Sequence, residues 1–132
     1  MTFSTIEKRE FILAMQSMIA IEGSHPSKKR IFDSVYKVLD VDYSEGISFL
    51  NYINGSRINW NEHYAVIRRM DIEKKKSLIS VLTVISTIGD GFKNEKAELL
   101  TGYRACCDLS YAAFSTLDAV ITASKYILNS NL

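Results

Sequence analysis

The stretch Leu78-Ile79-Ser80-Val81-Leu82-Thr83-Val84-Ile85-Ser86-Thr87-Ile88 runs into Gly89-Asp90-Gly91-Phe92-Lys93-Asn94-Glu95, and helical spacing resumes at Ala97, Leu99, Leu100 and Tyr103. The apolar run leaves no clean polar face, which marks a helix enclosed by other helices. Glycines on both sides of Asp90 offer a tight turn, since glycine tolerates positive φ at little steric cost. Glu95 and Glu98 then bring carboxylates to the start of the next helix, where the dipole favours negative charge. Glu22-Gly23 forms a similar junction nearer the start of the chain.

Working outward, nearly every segment reads as helix with its own start signal. Ser4 with Glu7 makes a capping box before Phe11, Ile12, Met15, Met18 and Ile19. Gly23 closes that helix, and Pro26 suits the first position of the next, which carries Ile31, Phe32, Val35, Val38 and Leu39 at spacings of three and four. Asp42 with Glu45 makes a second capping box, and Asn54-Gly55 is expected to end that helix in the left-handed style. A shorter helix is predicted from Asn59 to Met70, then one capped by Asp71 whose polar start, Lys74-Lys75-Lys76, reads as solvated. Asn94 is expected to cap the sixth helix, which ends near Cys107, and Asp108 to cap a last one carrying Phe114, Leu117, Val120, Ile121, Tyr126 and Ile127. Period-two alternation between hairpin turns is missing, so the fold class is all-α, a compact bundle of six or seven helices.

With 132 residues, 47% hydrophobic and 23% charged, the chain has the length and composition of one globular domain over residues 1–132. Such a chain buries roughly two thirds of its unfolded surface, enough for a proper core. A formal net charge of +1 provides no field toward nucleic acid or anionic lipid, so neither is an expected partner. The N-terminus lacks a signal-peptide apolar core, and the run Leu78–Ile88 is too short to span a bilayer. No membrane insertion and a cytoplasmic location follow as expectations. Cys106 and Cys107 are neighbours that point about 100° apart on a helix, so they read as small core residues rather than as a disulfide or a zinc site.

The two halves are related in pattern. Residues of about 5–45 (helix, Glu22-Gly23, helix, cap at Asp42) parallel residues of about 72–111 (helix, Asp90-Gly91, helix, Asp108 to Ser110), with Tyr36-Lys37 opposite Tyr103-Arg104. An internal repeat of helix pairs packs about a pseudo-twofold axis, which would bring the two acidic junctions together.

Val84-Ile85-Ser86-Thr87-Ile88-Gly89-Asp90-Gly91, with Asn94, Glu95, Glu98, Leu99-Leu100 and Asp108-Leu109-Ser110, resembles the TerB family, the helical domain first associated with tellurite resistance. The resemblance covers residues of about 75–120 and reaches the first half only through the repeat. It implies a bundle of about seven helices in which acidic residues of the two equivalent junctions bind a divalent metal. Carried over, those residues are Asp90 with Glu95 or Glu98, and Glu22 in the first repeat. The sequence departs from the pattern twice. Ser27-Lys28-Lys29-Arg30 stands where the first repeat should carry its glutamate, and Asp108 stands where the final turn often has glycine.

Two functional readings follow. The first is a non-enzymatic interaction or scaffold module with a protein partner; the resemblance implies a stress-response or envelope-associated complex. Trp60, Tyr64 and Arg68 share one helix face at i, i+4 and i+8, and aromatics beside arginine are frequent at protein interfaces. The second is a divalent-metal binding or sensing domain using Asp90, Glu95, Glu98 and Glu22, with a divalent cation as the cofactor in view. The loop lacks the EF-hand spacing, and His25 and His63 stand alone without HExxH or ExxH partners. GxSxG, a papain-like cysteine context and a GK[ST] phosphate loop are all missing from the sequence, so an enzyme is not expected.

Overall fold

A computed structural model describes residues 2–22, 26–55, 57–87, 93–109 and 121–125. Six helices are complete within them: α1 Thr5–Glu22, α2 Pro26–Val38, α3 Tyr43–Gly55, α4 Trp60–Arg69, α5 Ile72–Ser86 and α6 Lys93–Cys106. Residues 121–125 are helical as well, and the described residues contain no strand. The fold is an all-α bundle.

The helices begin where side chains satisfy their free amides. Ser4 Oγ accepts from the Glu7 amide at 3.2 Å while Glu7 Oε1 accepts from the Ser4 amide at 2.9 Å, a reciprocal capping box. Asp42 and Glu45 repeat the exchange at α3. Asn59 caps α4 and Asp71 caps α5, each accepting from the amide three residues on. At α6 the expected cap is displaced. The helix already contains Lys93, so Asn94 lies inside its first turn. Gly55 is the last residue of α3, without the left-handed backbone expected of it.

Asp108 ends α6. Its φ is 56°, its amide donates to the Ala105 carbonyl, and the Leu109 amide donates to the Arg104 carbonyl at 2.9 Å. These bonds close α6, and the start of the next helix, which Asp108 is expected to cap, lies outside the described residues. A left-handed backbone explains why glycine would suit this position. Asp40 ends α2 in the same way, with φ 58° and the Val41 amide donating to the Tyr36 carbonyl at 2.9 Å. Aligned on these ends, Tyr36 falls opposite Arg104 rather than Tyr103. Ser4 and Asp71 cap α1 and α5 at positions 67 residues apart, and Asp40 and Asp108 close α2 and α6 at positions 68 apart.

Seven consecutive residues of α5, Ser77 to Thr83, are buried, so every face of that helix is covered, as its sequence predicts. Its buried hydroxyls are satisfied within the helix: Ser77, Ser80 and Thr83 each donate to the carbonyl four residues back. The second enclosed helix is α1, where Glu10 to Met15 are all buried and which packs against α3, α4, α5 and α6. Lys74 is not the solvated residue its sequence context suggests. Its Nζ lies 3.0 Å from Glu7 Oε1 and ties α5 to the start of α1. Lys96 Nζ donates to the Ser86 carbonyl at 3.3 Å, holding α6 against the end of α5.

Candidate functional site

On α4, Asn59 fixes the start and the following ten residues divide into two faces. His63, Val66 and Ile67 turn into the core, while Trp60 and Arg68 are exposed and Tyr64 is half-buried between them. Trp60 keeps 43% of its surface accessible, high for the largest side chain in the protein. α6 faces this helix with Glu98, Leu99, Gly102 and Cys106, and Tyr103 is buried behind them. Between the two helices lies a groove of about 460 Å³. It is lined by Tyr64 and Arg68 from one side and Glu98, Leu99 and Gly102 from the other.

Gly102 is unusual because the fold does not call for it. It lies inside α6, has no positive φ, and a methyl group there would meet nothing within 4 Å. A glycine inside a helix costs about 1 kcal/mol relative to alanine. Its position opens onto the groove.

Beneath the groove runs a buried polar chain. Arg9 donates from Nε and Nη2 to Glu10 Oε1 at 3.1 and 2.9 Å. Glu10 Oε2 lies 2.6 Å from His63 Nδ1, and His63 Nε2 lies 2.8 Å from the Tyr103 hydroxyl. A carboxylate only accepts, so His63 Nδ1 carries its hydrogen toward Glu10. In the neutral imidazole Nε2 is then an acceptor, and the Tyr103 hydroxyl donates to it. The His63 ring sits edge-on to Trp60 at 5.4 Å and to Tyr103 at 5.7 Å, and the Arg9 guanidinium covers the Tyr52 ring of α3 at 4.1 Å. One chain of contacts thus joins α3, α1 and α4 to the α6 tyrosine behind the groove.

The electrostatics favour a charged Glu10 and a neutral Tyr103. Burial opposes the charge of Glu10, but the hydrogen bonds from His63 and Arg9 outweigh it and hold the carboxyl below its ordinary range. Burial, with Tyr64 second, raises the Tyr103 phenol well above its usual value, so it remains a donor. Burial also raises the Cys106 thiol, against the opposing charges of Arg68 and Lys75, and pushes Cys107 up to about 12. Neither cysteine is a thiolate at neutral pH. Cys106 Sγ instead donates to the Tyr64 carbonyl at 3.4 Å.

The structure therefore brings together two sets of residues that sequence reasoning kept apart. Tyr64 and Arg68, read as a partner face, share the groove with Glu98, read as a metal ligand. Glu95 is exposed in the first turn of α6 and does not reach the groove. Asp90 and the Glu22 side chain lie outside the described residues, as does His25. Among the described residues no three His, Cys, Asp or Glu side chains converge. Glu10 and His63 were missed as a pair. The available signal was a glutamate directly preceding the apolar residues Phe11 and Ile12, since a charge on a buried helix needs a partner.

No protein-family model matches the chain, and no curated protein matches it. Among solved structures it is similar to the crystal structure of a protein of unknown function from Porphyromonas gingivalis W83. That structure is 25% identical, with a TM-score of 0.69, and the match covers 95% of this chain and 98% of the other. The similarity extends over nearly all of both chains and bears on the fold.

Proposed function

We propose that this protein is a non-enzymatic interaction module that holds a segment of a protein partner in the groove between α4 and α6. The observation that carries this reading is the exposed Trp60 continuing into Tyr64 and Arg68 beside an open groove. Tryptophan, tyrosine and arginine dominate interface energetics because each covers a large area and keeps a polar end for hydrogen bonding. The buried chain through His63 supports the reading too, since a rigid base holds the aromatic face in one orientation and lowers the ordering cost of binding. The TerB resemblance supports a stress-response or envelope-associated complex as the setting, and the recurring helix ends support its repeat.

The test is a photo-crosslinking side chain placed at Leu99, in cells of the source organism, with and without Tyr64→Ala and Arg68→Glu. The expected result is a discrete protein adduct that both substitutions remove. An adduct pattern unchanged by either, or no adduct at all, overturns the reading.

A further inference from the structure

We infer that the segment held in the α4–α6 groove is an amphipathic helix whose carboxylate meets Arg68 and whose basic side chain, about two turns away on the same face, meets Glu98. This rests on the reading of the groove as an interaction site and adds the chemistry of the occupant. Three observations carry it.

The first is the nature of the walls. Both are helices whose backbone groups bond within themselves, and the described residues offer no sheet edge. An extended peptide gains affinity by pairing its backbone with such an edge. A helix satisfies its own backbone and needs only side-chain contacts, so it is the occupant these walls suit.

The second is charge. The neighbouring Arg69 is matched, 3.2 Å from Glu62. Arg68 and Glu98 are exposed on opposite walls, and among the described residues neither has an ion pair or hydrogen bond. An occupant complementary to both carries one charge of each sign. Cys106 Sγ meets the carbonyl of Tyr64, one turn before Arg68 on α4, and Glu98 precedes Cys106 by eight residues, about 12 Å of helix rise. The same rise separates residues two turns apart on the occupant.

The third is shape. Gly102 leaves open space on α6 between those two levels, with Leu99 and Tyr64 beside it. An apolar side chain between the occupant's two charges fills that space. The result is a sequence rule: acidic, apolar, basic along one face, with the acidic residue at the Arg68 end.

The test is a display library of short amphipathic helices, randomised at the polar positions flanking a central apolar residue and selected on the whole protein. Wild-type protein is expected to select acidic and basic flanks in one order, Gly102→Leu to abolish binding, and the double swap Arg68→Glu with Glu98→Arg to select the reverse order. Gly102→Ala, which meets open space, is expected to retain binding and serves as the folding control. Peptides that depend on Gly102 but show no charge order, or keep it after the swap, overturn this inference and leave the groove reading standing. Failure to recover any peptide that Gly102→Leu displaces overturns both.

Discussion

His63 Nδ1 and Glu10 Oε2, 53 positions apart in the chain, meet at 2.6 Å with both side chains withdrawn from solvent. The contact fixes the rotation of α4 about its own axis. With His63 held inward, Tyr64 and Arg68 come to the flank of α4 that forms one side of the groove, and Trp60 stays exposed one turn before Tyr64. A buried pair of this kind contributes less to net stability than an apolar pair of the same shape could, but removing one partner leaves the other stranded.

Glu10→Ala should therefore cost about 3 kcal/mol or more, since it leaves His63 Nδ1–H buried without its acceptor. Tyr103→Phe removes the donor to Nε2 and should cost about 1 to 3 kcal/mol. In urea titrations, Glu10→Ala combined with His63→Ala should cost clearly less than the sum of the two. Additive costs would show that the pair is not a unit.

Acid should expose the same chain. Glu10 is depressed by its His63 and Arg9 hydrogen bonds against burial, and Glu7 by the Ser4 amide and Lys74, again against burial. A carboxyl depressed in the folded state stabilises fully above its unfolded value, 4.5 here, and loses that contribution as pH falls through its folded value. Melting temperature should hold near neutrality and drop below about pH 4.5. Glu7→Gln should flatten the drop, and a slope identical to wild type would count against the Lys74 contact as its source.

Leu82 is fully buried in the enclosed helix α5. Truncation to alanine should cost about 2 to 5 kcal/mol by chemical denaturation. A cost near zero would mean that the core around α5 collapses to fill the space.

Asp108 and Asp40 both hold left-handed backbone at helix ends. At either position glycine should be more stable than alanine by about 1 kcal/mol, because the alanine methyl crowds the following carbonyl in that conformation. Thermal melts of the four variants read this directly, and equal melting points would remove strain as the explanation.

A divalent cation separates the interaction reading from the metal reading. Ca²⁺, Mg²⁺, Mn²⁺ or Zn²⁺ bound at about 100 times its dissociation constant would add about 2.7 kcal/mol of stability. The interaction reading expects no such shift, whereas a shift lost in Asp90→Ala would establish the acidic junction as a metal site.

The all-α class, the starts of α1, α3, α4 and α5, and the burial of α5 were all legible in the residues. A capping box such as Ser4 with Glu7 lies within three positions, and the enclosure of Leu78 to Ile85 is written in its lack of a polar face. Such signals act over one or two helical turns and need no knowledge of the partner helix. The end of α6 near Cys107 was legible too, but the backbone at Asp108 was not. Aspartate serves as a helix start and as a left-handed stop, and only the backbone at Asp108 shows that it ends α6.

The site belongs to the tertiary structure. Trp60, Tyr64 and Arg68 could be grouped by helical spacing, but nothing in the spacing places Glu98 and Gly102 across from them. His63 looked solitary because its partners, Glu10 and Tyr103, are 53 and 40 positions away. Those distances close only when α1, α4 and α6 pack. Helix formation was thus decided by short-range hydrogen bonding and apolar spacing that the chain carries in itself. Which charges end up buried together, and which are left facing an open groove, was decided by how the helices dock.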